Sequence, residues 1–167
     1  MIPTPEFWIK KLDLVPHPEG GYYREVYRSP FLTEIKTPDV RYEDNRNPGT
    51  SIYYLLEKDN FSGFHRLKSD EIWHFYTGSD IIIHQIEPSG NYTKILLGTS
   101  DPEVCHLQHI IPAGIWFSAE LADKSGYGLA GCTVFPGFDF RDFELGSEKE
   151  LYEQFGLEVI MGRCRLP

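Results

Sequence analysis

From Thr50 onward the chain is a succession of short apolar stretches, each cut off by turn residues: SIYYLLE, FSGFHRL, EIWHFYTG, DIIIHQIE, YTKILLG, HLQHIIPAG, IWFSAEL and YGLAGCTVFPGF. Each is rich in β-branched or aromatic side chains and stops at Gly, Pro, Asp or Asn. Short strands with turns every eight to twelve residues or so predict an all-β sandwich or barrel. The 15 Gly and 12 Pro supply those turns, and an apolar content of 41% is enough to fill a core. At 167 residues, with no linker or internal repeat, residues 1–167 read as a single domain.

Helical signals sit only near the two ends. Thr4 can cap a short helix over EFWIKKLDL with Pro5 in its first turn. Ser147 and Glu150 form a capping box before Leu151, and Gly156 is a natural stop. Between them, residues 15 to 21 (VPHPEGG) read as a break. Residues 22 to 28 (YYREVYR) alternate like a strand, with Tyr23, Glu25 and Tyr27 on one side and Arg24 and Arg28 on the other. Residues 36 to 49 read as a charged, Pro-containing loop.

A formal charge of −9 offers no basic excess to displace phosphate counterions, which argues against non-specific nucleic-acid binding. Cys105, Cys132 and Cys164 lack CxxC spacing, so no disulfide framework is expected and a reducing compartment fits. The N-terminal stretch lacks the basic and apolar regions of a secretion signal, and no apolar run approaches the roughly 20 residues of a membrane span. These features together predict a cytoplasmic protein without a membrane partner.

The chemistry gathers in FHRLKSDEIWHFYTG, residues 64 to 78. With a two-residue period, Glu71, Trp73 and Phe75 share one face of their strand, while Ile72, His74 and Tyr76 share the other. A ligand set of His65, Glu71 and His74 therefore fails on geometry, and the HExxH helix of zinc proteases is absent. His65 and Glu71 can still meet, because they flank the hairpin-like loop Lys68-Ser69-Asp70. An imidazole beside a carboxylate is a base with a fixed tautomer. On spacing alone, that reading and one of a packed, structural histidine both stay open. His106 and His109 point to opposite sides of a strand, which disfavours shared ligation. His84 reads as structural, and His17 as a turn residue or pocket rim.

These segments resemble the cupin superfamily. Its first motif, roughly G-x5-H-x-H-x3-or-4-E-x6-G, lines up with His65, Leu67, Glu71 and Gly78. Its second, roughly G-x5-P-x-G-x2-H-x3-N, lines up with Pro112, Gly114 and Phe117. PHPEGGYYREVYRS, FHRLKSDEIWHFYTG, IIPAGIWFSAE and GCTVFPGFDFRDFEL are similar to a single-domain cupin group often labelled predicted sugar epimerases. The resemblance implies a mainly β, jelly-roll barrel with short helices near both termini, and a homodimer. It also implies that metal-binding members use three histidines and a glutamate. Here Leu67 and Phe117 stand at two of those histidine positions, so no metal and no cofactor are expected.

The function expected on these grounds is metal-independent epimerase or isomerase chemistry. A proton would move at a carbon next to a carbonyl of a sugar, sugar nucleotide or similar polar small molecule. His65 is the candidate base, Glu71 its orienting partner, and Tyr54 the group returning a proton. Arg24 or Arg66 would stabilise the enolate. Trp73 and Phe75 form a candidate aromatic floor, and Glu19 and Asp139 bracket the mouth. The alternative is a cupin that binds a nucleotide or sugar without turning it over. Because two protein ligands rarely hold a catalytic ion, metal analysis of protein purified without added metal should find well under one equivalent. Stoichiometric nickel, zinc or iron that titrates with activity would contradict this reading.

Overall fold

The computed structural model describes residues 3–34, 42, 44–124 and 126–165. The first helix, α1 (Pro5–Leu12), starts where Thr4 Oγ1 accepts the Phe7 N–H, and Asp13 closes it in the left-handed conformation. The strands then run β1 (Val15–Pro16), β2 (Tyr22–Arg28), β3 (Thr50–Glu57), β4 (Phe61–Leu67), β5 (Asp70–Gly78) and β6 (Ile81–Ile86). After these come β7 (Tyr92–Leu97), β8 (Gln108–Ile111), β9 (Trp116–Leu121), β10 (Tyr127–Phe135) and β11 (Phe143–Leu145). The last helix, α2 (Glu148–Phe155), has Ser147 as its cap and Gly156 at φ 65° as its stop. Each apolar stretch of the sequence becomes one of the strands β3 to β10. Of the expected loop at 36 to 49, residues 36–41 and 43 lie outside the described residues.

Two antiparallel sheets face each other, ordered β1-β2-β3-β10-β5-β8 and β11-β4-β9-β6-β7. The chain changes sheet between β3 and β4, β4 and β5, and β5 and β6, and again at every step from β7 to β11. Among the described residues no strand of one sheet pairs with a strand of the other. The expected barrel is therefore an open sandwich of jelly-roll type, joined by packing rather than by a closed hydrogen-bond ladder. The space between the sheets is filled by Tyr54, Trp73, Ile83, Leu97, Phe117 and Leu121, all buried. Full burial of one such side chain contributes about 1.5–3 kcal/mol. Outside the five-stranded sheet, Phe64, Ile86 and Trp116 pack under Leu151 of α2 and under Ile160. α1 covers one end of the other sheet over Leu55, Tyr127 and Leu129. No described helix is long and apolar enough to cross a membrane.

Three local readings change. Residues 15 to 21 are not a simple break: Val15 and Pro16 pair with Tyr23 and Tyr22, so residues 17 to 21 are the turn of a hairpin. β4 and β5 are not a hairpin, because they belong to opposite sheets and the link at Lys68–Ser69 carries the chain across the sandwich. In β2 the register slips between Glu25 and Tyr27: Glu25 pairs with Ile52, yet Tyr27 pairs with Ser51. That bulge reverses the strand's alternation and puts Arg28 on the same face as Tyr23 and Glu25.

A buried ion pair ties the 44–46 segment to the turn before β11. Arg46 Nε and Nη2 donate to the two oxygens of Asp142 at 2.6 and 2.9 Å, and both side chains are 3% exposed. Removing one partner strands the other as an uncompensated buried charge. Asp142→Ala is expected to lower the free energy of urea unfolding by about 3–5 kcal/mol. A loss under about 1 kcal/mol, the value of an exposed pair, would show that Arg46 finds water instead.

Candidate functional site

One end of the sandwich is left unfilled by the apolar core and holds a cavity of about 500 Å³. Its walls come from β2, β3, β5 and β10 of one sheet, β4 of the other, the 17–21 turn, and the segment around Phe138 to Phe143. Facing it are Glu19, Tyr54, His65, Glu71 and Cys132, each less than a tenth exposed.

His65 projects inward from β4. Its Nδ1 lies 2.7 Å from the Gly63 carbonyl oxygen. A carbonyl only accepts, so Nδ1 carries the proton and donates it. Its Nε2 lies 3.2 Å from Glu19 Oε2. With Nδ1 already protonated, a hydrogen bond at this second contact needs one further proton, carried by either Nε2 or the carboxyl. The imidazole thus stands between a backbone acceptor and a carboxylate, and its ring packs 4.0 Å from that of Phe117.

Glu19 reaches His65 because the turn that bears it docks on β4. Gly63 N–H donates to Glu19 O at 2.8 Å, and Ser62 Oγ donates to Glu19 Oε1 at 2.9 Å. Gly20, at φ 111°, permits the turn, and a Cβ there would come 2.0 Å from the Phe61 carbonyl oxygen. His17 joins from the same turn, with Nδ1 accepting the Glu19 N–H at 3.3 Å. Burial lowers the pKa of His17, which suits that neutral, accepting role.

Glu71 faces the cavity from β5 on the opposite sheet. Burial pushes its carboxyl up to about 8, and the charge of Glu19 pushes the same way. Cys132 and Trp73 lie beside it and favour the ionised form. Their help is weak, since the buried Trp73 Nε1 closes no hydrogen bond of ordinary geometry. Burial also drives the Cys132 thiol well up. The Tyr54 phenol is raised well above its usual range by burial first and by Glu19 second. It is a neutral donor, giving its proton to the Gly20 carbonyl at 2.6 Å.

The structure therefore regroups the residues singled out by sequence. His65 and Glu71 line the same cavity, but no hydrogen bond or ion pair joins them; the carboxylate on the imidazole is Glu19. Tyr54, Glu19 and Asp139 also line the cavity. Asp139 is committed to Arg141 through both oxygens, at 2.9 and 2.8 Å, which holds its carboxyl well below the usual range. Arg24 points away to Asp13. Arg66 pairs with Glu144 at 2.7 Å and lies over the Trp116 ring. Trp73 is core beneath the cavity rather than a floor open to ligand, and Phe75 packs against that core. The arginine at the mouth is Arg28, which strict alternation assigned to the wrong side. It is bidentate on Glu25 at 2.9 and 2.6 Å and donates to Asn47 and to the Phe138 carbonyl.

The other histidines lie elsewhere. His74 faces away and meets Thr133 Oγ1 at 3.1 Å, His84 bonds to Tyr92 and Glu120, and His109 bonds to Gln85. Leu67 lines the cavity and Phe117 fills the space against His65. Among the described residues no group of three or more His, Cys, Asp or Glu side chains could hold a metal ion. The residues present thus do not fit a site of three histidines and a glutamate.

Residues 6–146 match the family described as Cupin superfamily (DUF985). An uncharacterized protein of Saccharomyces cerevisiae, YML079W, is 30% identical over 162 residues, spanning 90% of this chain and 79% of its own. Two solved structures cover 99% of this chain and 100% of their own. They are a hypothetical protein from Leishmania major, at 35% identity and TM-score 0.85, and protein SO0799 from Shewanella oneidensis, at 34% and 0.87. Oxalate decarboxylase from Bacillus subtilis shares the fold at TM-score 0.55 and 14% identity, over 89% of this chain and 36% of its own.

The Glu71 carboxyl carries a stability prediction. Between the ordinary value of 4.5 and the folded value of about 8, the folded chain keeps a proton that the unfolded chain releases. Stability is therefore lost as pH rises through that window. Glu71→Gln removes this titration. Its stability relative to the parent is expected to climb by about 1.4 kcal/mol per pH unit between about pH 5.5 and 7.5. Urea unfolding at both pH values checks this; a difference that does not change with pH would mean Glu71 is ionised in the fold.

Proposed function

The chain belongs to the Cupin superfamily, and from that premise we propose that it is a metal-independent epimerase or isomerase. It acts on a sugar, sugar nucleotide or similar polar small molecule by moving a proton at a carbon next to a carbonyl. The observation that carries this reading is the opposition of two proton carriers across one small cavity. Glu71 reaches in from one sheet, and the Glu19–His65 pair from the other sheet and its docked turn. Inverting a carbon centre requires proton removal from one face and return from the other, which is what facing walls allow.

In this mechanism the ionised Glu71 takes the α-proton and leaves an enolate. The proton shared by Glu19 and His65 is then delivered to the opposite face of the carbon, and both groups reset by exchange with water at the mouth. A carboxyl of pKa about 8 is populated in both forms near neutrality, as a proton carrier must be. His65 serves through its pair with Glu19 rather than as a lone base, because both of its ring nitrogens are engaged. Tyr54 supports the pair by fixing the Gly20 carbonyl. A homodimer fits the same reading: Tyr27, Tyr76 and Ile110 are exposed on the six-stranded sheet's outer face, where a second copy would cover them.

The test is exchange rather than product. Sugars, sugar phosphates and sugar nucleotides with a carbonyl-adjacent C–H are incubated with the protein in D₂O and followed by proton NMR. A substrate is expected to lose its α-proton signal, and Glu71→Gln and His65→Gln are each expected to slow that loss by about 10²–10⁴-fold. A compound that binds saturably yet never exchanges, under conditions where the rest of the panel is silent too, would replace the catalytic reading with a binding one.

A further inference from the structure

The C-terminal segment reaches the acid/base pair from behind. After the short turn Glu158–Ile160, the chain runs alongside β4, where Phe64 N–H donates to the Arg163 carbonyl at 2.7 Å. Arg163 is anchored on β9 by Glu120 Oε1, at 2.8 and 3.2 Å. Two residues on, the Arg165 guanidinium enters the gap between β4 and the turn that carries Glu19. Its Nε donates to the Glu19 carbonyl at 3.2 Å. Its Nη2 donates to Asn60 Oδ1 at 2.6 Å and to the Phe61 carbonyl at 2.8 Å. The guanidinium carbon lies 3.9 Å from the centre of the Phe61 ring.

Two glycines make room for it. A Cβ on Gly20 would lie 2.6 Å from Arg165 Nη2, and one on Gly63 would lie 2.7 Å from Arg165 Cγ. These are the glycine next to Glu19 and the one whose carbonyl receives the His65 Nδ1 proton. The same cation therefore touches the backbone on both sides of the Glu19–His65 contact. The planar fork gathers three acceptors from the turn, the residue before β4, and β4 itself, a geometry that a lysine cannot copy.

We propose that Arg165 is a positioning residue: it clamps the Glu19 turn onto β4 and so holds Glu19 Oε2 at His65 Nε2. The acid/base pair then depends on the seating of the C-terminal segment. The consequence for catalysis rests on the function proposed above; the consequence for His65 does not.

The experiment uses the full chain with Arg165→Ala and Arg165→Lys, and reads the ¹⁵N resonances of His65, assigned by comparison with His65→Gln. In Arg165→Ala the Nε2 resonance is expected to move toward that of an imidazole nitrogen with no carboxylate partner, and added ethylguanidinium is expected to return it. Arg165→Lys, which keeps the charge and much of the stem, is expected to show the same change and decides the matter should the alanine variant not fold. Exchange activity, where present, is expected to fall about 10–100-fold with misplacement of the pair. His65 resonances unchanged in a folded variant would overturn the clamp. A wild-type chain that exchanges nothing would sink the proposed reaction while leaving the His65 readout to judge Arg165.

Discussion

The contact on which the rest depends is aromatic. Tyr54, Trp73 and Phe117 meet edge to face between the sheets, with ring centres 5.4 and 6.5 Å apart. Tyr54 and Trp73 come from β3 and β5 of the six-stranded sheet, which flank β10, and Phe117 comes from the other sheet. Below this stack the sandwich is filled with Ile83, Leu97 and Leu121; above it lies the cavity that Glu71 and His65 line. Such edge-to-face pairs add to what burial alone contributes, and here they also fix the level at which dry core gives way to cavity. The side chains that turn inward above that level, Glu71 from β5 and His65 from β4, must then face each other in a poorly hydrated space.

That space dictates the electrostatics. A carboxylate removed from water is disfavoured unless a donor or a cation compensates it. Glu19 accepts from Ser62 and lies against His65 Nε2, whereas Glu71 has only poorly aligned neighbours, and burial pushes its carboxyl up to about 8. Two carboxyl groups in one cavity thus have different surroundings because their partners differ, not because their chemistry does. At the mouth the acids Glu25 and Asp139 are each matched by an arginine, which leaves the interior as the place where charge is unsettled.

Membership of the cupin superfamily sharpens the meaning of Phe117. It stands where the second motif carries a histidine, and it uses that place to support the imidazole of His65 from 4.0 Å. Together with Leu67 it converts a position for metal donors into packing. What remains is a histidine whose partner is a carboxylate from a turn near the N-terminus, which no motif spacing within residues 64 to 78 could reveal.

Much of the fold was legible in the chain because it rests on local rules. The strands β3 to β10, the caps at Thr4 and Ser147, the stop at Gly156, and the shared face of Glu71, Trp73 and Phe75 all follow from period, turn residues and capping. Arg28 was not legible, because one unsignalled bulge reverses a strand's faces. The Glu19–His65 pair was hidden because its members lie 46 positions apart and meet only when the 17–21 turn docks on β4. Arg165 reaches the same turn from still farther away. By itself, then, the sequence determined the strands β3 to β10, the two helices, the inward face of β5 and the family. Only the tertiary structure decided which carboxyl sits on the imidazole and that burial raises the Glu71 carboxyl, because both depend on long-range contacts and on burial, neither of which has a local signature.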